Sequence, residues 1–487
     1  MDAPTYKNLI NGQWVAASSG ETFEDTNPAD KRQVLGRFPS SGEQDVKRAI
    51  DAAEAALPGW RGASPLARGT VLLKAAAILE SRADEVARDL TLEEGKTLAE
   101  AKGETLRGVA ILRYFAGQTS EPSGETYPSA NPATLLYTSR VPLGIVGLIT
   151  PWNFPIAIPI WKAAPALAFG NTVVMKPAAL TPLTAQHIAE CLHEAGLPPG
   201  VLNLVHGSGR AVGNPLVADR RVSAISFTGS NGVGSGIAAA VQGRGGRVQC
   251  EMGGKNPLVV LEDADLDQAA DLTIAGAFRS TGQKCTATSR AIVLQPVLEA
   301  FTEKVLARAR ALKVGPGIES GTWMGPQVSA DQQKTVLEYI EIGKREGAEL
   351  VLGGGAPEHD HFAHGYYVEP TVFTNVRNTM RIAQEEIFGP VLAIIPAADR
   401  AEALRLANQV EFGLSASVCT RDLRKALEFV QGIEAGIVHV NGETAGAEPQ
   451  VPFGGFKASG TFMREQGKAA RDFYTQIKTV YLDLPPA

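Results

Sequence analysis

Cysteine is scarce in this sequence, and the few cysteines present are widely separated. The 487 residues contain four, Cys191, Cys250, Cys285 and Cys419, and no two of them form a CxxC pair. This spacing argues against both a disulfide framework and a zinc cluster. We therefore expect a protein without a resident metal that works in a reducing compartment, the cytoplasm.

An excess of positive charge and long apolar runs are also missing. The 46 lysines and arginines are outnumbered by 52 aspartates and glutamates, and the net charge of −6 argues against nucleic acid or an anionic membrane as main partner. The longest apolar region, residues 155–169, is interrupted by Lys162 and by prolines and is too short to span a bilayer. Residues 1–6 lack the basic patch and apolar run of a signal peptide, so we expect none.

Three histidines lie close together in the sequence. His359, His361 and His364 follow the glycines of residues 353–355 in a polar segment. A solvated loop is the favoured interpretation, and a metal site is the alternative. The sequence leaves the role of this loop open.

Hydrophobic patterning predicts an α/β protein with more than one domain. A chain of 487 residues, of which 44% are hydrophobic, is too long for one core. From residue 144 onward, apolar runs of four to six residues alternate with helical segments, which is typical of a parallel sheet covered on both faces. A second alternation begins after residues 251–254. Earlier in the chain, residues 43–56 predict an amphipathic helix, and the periodic apolar residues from Leu72 to Leu90 predict one more.

Two segments have the character of edge strands. Residues 122–142 are bracketed by proline, serine and glycine and predict a projecting hairpin, and residues 475–482 alternate in hydrophobicity. Exposed strand edges are usually paired or covered. We therefore expect a homo-oligomer, either a homodimer or a homotetramer.

One cysteine lies in surroundings that suit a nucleophile. Cys285 is surrounded by glycine, threonine and serine within residues 278–290, and Lys284 and Arg290 flank it. Small neighbours let a substrate approach the sulfur, and nearby cations favour the reactive thiolate. The alternative, taken alone, is a buried structural cysteine.

Three other motifs stand at the ends of predicted strands. Residues 227–234 place glycines and Ser230 where a strand turns into a helix, a position that suits a phosphate, although the spacing is not that of GxGxxG. Glu251 precedes two glycines that leave room for a water, as a general base requires, with a surface glutamate as the alternative. Asn153 stands between prolines and aromatic residues, where it is suited either to donate to an oxyanion or to cap a helix.

Taken together and in this order, these motifs resemble the NAD(P)-dependent aldehyde dehydrogenase superfamily. The resemblance covers nearly the whole chain, and it implies a Rossmann-like cofactor domain, an α/β catalytic domain and a small β oligomerisation domain. The matching segments are residues 151–155, 176–178, 227–230, 251–257, 282–290, 385–390 and 452–455. The expected domains are residues 1–121 with 143–252 for the cofactor, 253–460 for catalysis, and 122–142 with 475–487 for oligomerisation.

The resemblance also implies roles for individual residues. Cys285 would be the nucleophile and Glu251 the base, and Asn153 would form the oxyanion hole with the Cys285 backbone amide. Lys162 and Glu465 match positions linked to a proton relay. The reaction would convert an aldehyde, through a thiohemiacetal and a thioester on Cys285, to the carboxylic acid.

A second set of residues would hold NAD+ or NADP+. Lys176 would bind the adenosine ribose and Ser230 the pyrophosphate, while Glu386 would hold the nicotinamide ribose with Phe388 against the nicotinamide. The other expected cofactor-binding positions are Ile149, Thr150, Pro151, Trp152, Ala179, Gly229, Val233 and Gly253. NAD-preferring members often carry Glu where this chain has Ala179, so we expect NADP+ to be accepted as well.

A narrower likeness concerns the substrate. Residues 155–162, 441–446 and 464–467 resemble the α-ketoglutaric semialdehyde (2,5-dioxopentanoate) dehydrogenase branch. Trp161 stands where succinic semialdehyde dehydrogenases carry a carboxylate-binding arginine, which disfavours that substrate. Another aliphatic or aromatic aldehyde is the alternative.

Two other classes of protein compete with the dehydrogenase. A thiol esterase could use Cys285 and Glu251 without a cofactor, but it would need neither Glu386 nor residues 227–230. A non-catalytic scaffold is disfavoured by the complete set Asn153, Glu251 and Cys285. Within the superfamily, the presence of Glu251 to activate water disfavours a CoA-acylating enzyme.

Overall fold

The computed structural model describes residues 3–483, which form two seven-stranded sheets and three smaller ones, with helices packed on the large sheets. The strands are β1 (Asn8–Ile10), β2 (Gln13–Val15), β3 (Thr22–Thr26), β4 (Val34–Pro39), β5 (Thr126–Tyr127), β6 (Thr134–Pro142), β7 (Ile145–Ile149), β8 (Thr172–Lys176), β9 (Leu202–Leu204), β10 (Val222–Thr228), β11 (Arg247–Glu251), β12 (Asn256–Val260), β13 (Thr288–Leu294), β14 (Glu349–Leu352), β15 (Thr371–Thr374), β16 (Val391–Ala397), β17 (Phe412–Gly413), β18 (Ser415–Cys419), β19 (Ile437–Val440), β20 (Phe456–Lys457) and β21 (Thr475–Asp483). The α-helices are α1 (Glu43–Gly62), α2 (Pro65–Ser81), α3 (Ala83–Glu94), α4 (Leu98–Gln118), α5 (Ala157–Ala168), α6 (Pro182–Glu194), α7 (Asn214–Ala218), α8 (Asn231–Gly243), α9 (Leu266–Phe278), α10 (Leu298–Arg310), α11 (Ala330–Arg345), α12 (Arg381–Gln384), α13 (Arg400–Asn408), α14 (Leu423–Gly432) and α15 (Gly467–Tyr474).

The first large sheet has the strand order β11-β10-β7-β8-β9-β1-β2. The strands from β11 to β9 are parallel, and β1 and β2 add an antiparallel edge. Strands β7, β8 and β9 are buried along their whole length, because their alternate side chains pack into separate apolar clusters on the two faces. The parallel α/β sheet expected from residue 144 onward is confirmed.

The second large sheet has the order β14-β15-β16-β13-β12-β18-β19 and is parallel except for β14. The chain passes from the first sheet to the second between Glu251, the last residue of β11, and Asn256, the first of β12. The short connection holds the carboxyl end of β11 close to the segment that contains Cys285. The predicted second alternation of strands and helices is confirmed.

The third sheet has the order β21-β6-β5, and its strands are antiparallel. Nine residues of β21 pair with β6, from Thr475 opposite Pro142 to Asp483 opposite Thr134. The outer side of β21 is an open sheet edge within the described chain. Residues 484–487 of the predicted oligomerisation element lie outside the described residues.

One helix prediction is wrong. The apolar residues from Leu72 to Leu90 belong to two helices, α2 and α3, which meet at Arg82 with φ −101° and ψ 9°. Both helices pack their apolar face on the same core, so the spacing of apolar residues continues from α2 into α3. The break between the helices is therefore not visible in the sequence pattern. Helix α3 ends at Gly95, whose φ of +99° suits glycine. Among the described residues, no helix has the length and apolarity needed to cross a membrane.

Candidate active site

The loop that presents Cys285 has a strained backbone. After α9, Ser280, Thr281 and Gly282 have φ of +53°, +56° and +68°. Left-handed conformations of non-glycine residues cost about 1–3 kcal/mol each and persist where the surroundings impose them. Here the Ser280 N–H donates to Glu100 Oε1 at 2.7 Å, and the Thr281 hydroxyl donates to the Gly325 carbonyl at 3.1 Å. The loop is therefore held in one conformation by distant parts of the chain.

Cys285 is also held through its own carbonyl group. The side-chain amide of Asn256 donates to the carbonyl oxygens of Cys285, at 2.8 Å, and of Ala287, at 2.9 Å. The Thr444 hydroxyl donates to the Thr286 carbonyl at 2.7 Å. A Cβ on Gly254 would lie 2.5 Å from the Cys285 carbonyl oxygen, so only glycine fits there. Sequence reasoning did not single out Asn256 or Thr444, although Asn256 belongs to the motif at residues 251–257.

The two cations predicted to favour the Cys285 thiolate make their hydrogen bonds to other groups. Lys284 donates to the Ala275 carbonyl at 3.2 Å, and Arg290 donates to the carbonyls of Lys255, Leu406 and Ala407 at 3.0 Å each. Burial raises the pKa of Cys285 to about 12, and the carboxyl groups of Glu386 and Glu251 raise it further. The backbone N–H groups of Thr286 and of Cys285 itself lower the pKa. Both cations are buried, and a buried cation has to satisfy its hydrogen bonds locally. Within residues 3–483 neither donates a hydrogen bond to the Cys285 sulfur, and the activation of Cys285 by their charge stays a prediction.

Asn153 reaches the same loop from the end of β7. Its side-chain amide donates to the Gln283 carbonyl at 3.1 Å, two residues before Cys285. Its backbone carbonyl accepts a hydrogen bond of 2.7 Å from Lys96 Nζ, which fixes the residue. An amide has two N–H groups, so one remains for an oxyanion beside the sulfur.

Glu251 lies at the end of β11 in a buried position. Its Oε2 accepts a hydrogen bond of 3.3 Å from the Gly455 N–H, and its Oε1 has no partner within residues 3–483. Burial, followed by the charge of Glu465, raises the pKa of Glu251 well above its ordinary value, and Lys162 and Arg464 oppose the rise. This carboxyl therefore holds a proton more readily than an exposed glutamate does.

Lys162 and Glu465 form a polar pair near Glu251. Lys162 Nζ donates to Glu465 Oε1 and, at 2.9 Å, to the Ser226 hydroxyl. That hydroxyl has one proton and two acceptors within reach, Glu465 Oε1 at 3.1 Å and Gln249 Oε1 at 3.2 Å. Because all four side chains are buried, the network is isolated from solvent and suited to proton transfer.

Glu386 and Phe388 lie on the other side of Cys285. Glu386 Oε1 accepts a hydrogen bond of 2.8 Å from the Gly254 N–H, and a Cβ on Gly253 would lie 2.2 Å from Glu386 Oε2. Burial raises the pKa of Glu386 to about 7. Phe388, with φ +58°, packs edge-on against Trp152 at a centroid distance of 5.3 Å. The predicted residues Trp152, Gly253, Glu386 and Phe388 are thus brought together.

A cleft of about 930 Å³ lies between α7 and α8. Ile149 and Val233 line it, and Lys176 lies behind Gly213, with its Cδ 3.8 Å from the place of a Cβ there. Burial lowers the pKa of Lys176 to about 8, and its Nζ donates to the Pro177 carbonyl at 2.6 Å. Ser230 precedes the first turn of α8, where unpaired N–H groups favour an anion.

The remaining predicted cofactor residues follow the ends of β7, β8 and β10. Gly229 donates its N–H to the Glu251 carbonyl at 3.1 Å, and Thr150 donates its N–H to the Lys176 carbonyl at 3.2 Å. The Thr150 hydroxyl is buried without a partner within residues 3–483, and Pro151 follows it. Ala179 is exposed in the loop after β8. A cleft at the end of a parallel strand, with the first turn of α8 in its lining and Lys176 behind it, is suited to a dinucleotide.

Residues 14–480 match the aldehyde dehydrogenase family. The chain belongs to this family. The α-ketoglutaric semialdehyde dehydrogenase of Bacillus subtilis strain 168 is 52% identical over 98% of both chains. The 2,5-dioxopentanoate dehydrogenase of Saccharolobus solfataricus is 46% identical over 98% of this chain and 99% of its own.

Two solved structures place this aldehyde dehydrogenase among cofactor-dependent relatives. Betaine aldehyde dehydrogenase from Staphylococcus aureus in complex with NAD+ superposes with a TM-score of 0.96 at 34% identity, over 99% of this chain and 95% of that one. An NADP-dependent enzyme from E. coli superposes with a TM-score of 0.95 at 37% identity, over 99% and 98%. The expected α/β aldehyde dehydrogenase fold and the oxidation of an aldehyde with NAD+ or NADP+ are confirmed.

The aldehyde dehydrogenase has a second cavity, of about 270 Å³, at Cys285. Its apolar walls include Phe154, Ile158, Trp161 and Phe453. The charged residues in its lining are Arg107, Arg279, Lys284, Glu100, Glu104 and Glu443. Sequence reasoning singled out neither residue: Arg107 belongs to no motif of catalytic residues, and Arg279 lies in the Cys285 segment, residues 278–290, without an expected role.

The structure shows the contacts of the three clustered histidines. His359 and His361 contact each other through their Nδ1 atoms at 2.8 Å, and the His364 carbonyl accepts a hydrogen bond of 2.9 Å from the Lys31 N–H. Residues 3–483 contain no cluster of three or more histidine, cysteine or acidic side chains that could hold a metal ion.

Proposed function

We propose that this dehydrogenase oxidises α-ketoglutaric semialdehyde, a five-carbon aldehyde with a distal keto acid, to α-ketoglutarate. The observation that carries the proposal is the cavity at Cys285, which combines apolar walls with cationic side chains. Such a cavity suits an aldehyde with a short methylene chain and an anionic end. Relatives named for this substrate, at 46–52% identity, support the same assignment.

Cys285 is the nucleophile in this proposal. Its Sγ bonds to the aldehyde carbon, the thiol proton leaves to solvent, and the carbonyl oxygen becomes an oxyanion. The side-chain amide of Asn153 and the backbone N–H of Cys285 donate to that oxyanion. Loss of one such donor costs on the order of 3 kcal/mol, about a hundredfold in rate.

The cofactor site supplies the redox partner. Bound NAD+ or NADP+ provides a hydride acceptor. Lys176, Ser230 and Val233 would hold its adenosine and pyrophosphate half, while Glu386 and Phe388 would hold the other half against Cys285. Loss of hydride from the aldehyde carbon leaves a thioester on Cys285.

Glu251 then acts as the base for hydrolysis. A water adds to the thioester carbon as its proton passes to Glu251, the carbon–sulfur bond breaks, and the carboxylic acid leaves. A raised pKa suits this role, because a carboxylate with a raised pKa accepts a proton more strongly than an ordinary carboxylate. The Lys162–Glu465 pair would carry the proton away through buried groups.

The test is a comparison of kcat/KM for several aldehydes with each cofactor. The panel contains α-ketoglutaric semialdehyde, succinic semialdehyde, pentanal and benzaldehyde, with reduced cofactor as the readout. We expect the first substrate to exceed each of the others by at least about tenfold, and Cys285→Ala to retain under about 1% of the activity. A higher kcat/KM for pentanal or benzaldehyde would reject the substrate. Ester cleavage that needs Cys285 but no cofactor, without dehydrogenase turnover, would favour the thiol esterase.

We further propose the arrangement of the whole enzyme. Residues 1–121 with 143–252 form the cofactor domain, 253–460 the catalytic domain, and 122–142 with 475–487 the oligomerisation element of a homodimer or homotetramer. The open edge of β21 supports the oligomer. The cytoplasm is the compartment that we propose, since a reducing environment keeps Cys285 reactive.

A further inference from the structure

Three buried hydrogen-bond donors in the cavity at Cys285 have no acceptor within residues 3–483. They are Nε and Nη2 of Arg107 and the indole Nε1 of Trp161. The Arg107 guanidinium carbon lies 6.0 Å from the centroid of the Trp161 ring, and Trp161 is only 6% exposed. Buried donors are nearly always paired, so unpaired donors at one place indicate a missing acceptor.

The packing of two helices brings these donors together. Arg107 lies on α4 and Trp161 on α5. A Cβ on Gly108 would lie 2.9 Å from the side chains of Ile156 and Ile160, so glycine there allows α4 to approach α5 closely. The side chain of the preceding residue, Arg107, therefore enters the cavity beside Trp161.

The unpaired atoms of Arg107, Nε and Nη2, form one edge of its guanidinium group. Two other arginines of this protein bind carboxylates with the same two atoms. Nε and Nη2 of Arg381 donate to the two oxygens of Glu385 at 2.8 Å each. Nε and Nη2 of Arg32 hold Asp30 in the same way at 2.8 and 2.7 Å. This fork matches the geometry of a carboxylate, or of the adjacent oxygens of a keto acid.

Two of the three acidic residues around the cavity, Glu104 and Glu100, are engaged with other groups. Glu104 pairs with Lys96 Nζ at 2.6 Å and accepts from the N–H groups of Ile156 and Ala157. Glu100 accepts from the N–H groups of Thr97 and Ser280. The third, Glu443, has no hydrogen-bond partner for its Oε2 within residues 3–483, and its nearest cation is Lys284 Nζ at 4.0 Å. Burial lowers the pKa of Arg107, partly opposed by the charges of Glu104 and Glu448, so a bound anion would offset the cost of burying its charge.

We propose that Arg107 and the indole N–H of Trp161 bind the keto-acid end of the substrate and make the enzyme select aldehydes with a distal carboxylate. The proposal rests on the proposed function and names the residues that would provide its specificity. Apolar walls would hold the methylene groups between this anchor and Cys285. Arg279, the other arginine in the cavity lining, is exposed, so water satisfies its donors without a substrate.

The test is the ratio of kcat/KM for α-ketoglutaric semialdehyde to that for pentanal, which has the same number of carbons and no charge. We expect a high ratio in the wild type and a fall of about a hundredfold in Arg107→Met, through KM for the semialdehyde. Pentanal turnover should change by less than about threefold, which also shows that the variant folds. Arg107→Lys keeps the charge without the fork and should give an intermediate ratio. Trp161→Phe should lower the ratio less than Arg107→Met.

The matched control is Arg113→Met on the same helix, since Arg113 pairs at the surface with Glu80. That variant should keep the wild-type ratio. A wild type without preference for the semialdehyde would reject the proposed function. If the wild type prefers the semialdehyde but Arg107→Met keeps the wild-type ratio, the role of Arg107 is overturned while the proposed function stands. The same holds if the ratio falls in Arg279→Met alone. If Arg107→Met does not fold, unchanged ratios in Arg107→Lys and Trp161→Phe overturn it equally.

Discussion

Glu386 Oε1 accepts a hydrogen bond of 2.8 Å from the backbone N–H of Gly254. The same residue is the largest of the nearby charges that raise the pKa of Cys285, after the effect of burial itself. Glu386, which we expect to hold the cofactor, therefore also disfavours the reactive thiolate form of Cys285 while the cofactor is absent. Because the pKa of Glu386 is raised to about 7, its charge, and with it this suppression, increases as the pH rises through neutrality.

This relationship predicts how the rate of Cys285 alkylation by iodoacetamide depends on pH and on the charge of Glu386. A thiol with a pKa of about 12 is a thiolate in a fraction that grows about tenfold per pH unit between pH 7 and 9. In Glu386→Gln the repulsion is removed, so the pKa of Cys285 falls and alkylation should accelerate by roughly tenfold at pH 8, the effect of one pKa unit. Mass spectrometry of the Cys285 peptide follows the rate.

The neighbouring Glu385→Gln is the control for that experiment. Glu385 is paired with Arg381 at the surface, so its neutralisation should leave the alkylation rate unchanged. Equal rates in wild type and Glu386→Gln would show that Glu386 does not govern the thiol.

The sequence predicts Cys285, Glu251 and Asn153 because each belongs to a local motif with a chemical reason. The fold class was also predictable, since the buried parallel strands are short apolar runs between helices. Long-range contacts were not predictable. Three features depend on segments that are distant in the sequence. They are the groups to which Lys284 and Arg290 donate, the hydrogen bond from the Asn256 amide to the Cys285 carbonyl, and the position of Arg107 in the cavity.

The helix prediction from Leu72 to Leu90 illustrates the same limit. Hydrophobic periodicity reports the face that is buried, and α2 and α3 bury the same face on either side of Arg82. Only the backbone at Arg82 marks the break. A pattern of side chains contains no signal for such a change when both helices pack on one core.

Glu251→Gln should separate the two halves of the reaction. Hydride transfer precedes the step that needs a base, so about one equivalent of reduced cofactor per active site should form in a burst. Steady turnover should fall by about a hundredfold or more, because water is no longer activated. Stopped-flow absorbance measures both phases, and Cys285→Ala, which should show no burst, is the control. Loss of the burst together with turnover would place Glu251 at an earlier step.

The open edge of β21 predicts a homo-oligomer. Ile477 and Tyr481 lie on one face of this strand and are 61% and 67% exposed, which is unusual for large apolar side chains. Light scattering at micromolar concentration should give a multiple of the 51.4 kDa chain mass. Ile477→Glu combined with Tyr481→Glu should shift the mass towards the monomer, whereas Lys478→Glu on the opposite face should not. A wild type with the monomer mass would reject the prediction.

The last prediction concerns the choice of cofactor. The lining of the cleft between α7 and α8 includes Arg210, Arg220 and Arg244 and, within the described residues, no acidic side chain. Lys176 lies behind it, and Ala179 in the loop after β8 provides no carboxylate. Cations beside the 2′-phosphate of NADP+ favour its binding, and screening by solvent in a partly exposed cleft limits the gain in binding free energy to about 1 kcal/mol. We therefore expect kcat/KM for NADP+ and NAD+ to agree within roughly tenfold.

Ala179→Glu tests the electrostatic origin of that balance. A carboxylate at residue 179 would repel the 2′-phosphate of NADP+. We therefore expect kcat/KM for NADP+ to fall about tenfold more than kcat/KM for NAD+, which is the scale of one charge pair in a partly exposed site. Ala179→Gln adds the same bulk without the charge and should affect the two cofactors equally. The measurement is kcat/KM for both cofactors in the wild type and in the two variants, with a saturating aldehyde. If the wild type discriminates by about a thousandfold, or if Ala179→Glu weakens both cofactors to the same extent, residues other than Ala179 set the preference, and the three arginines of the cleft are the next to be replaced.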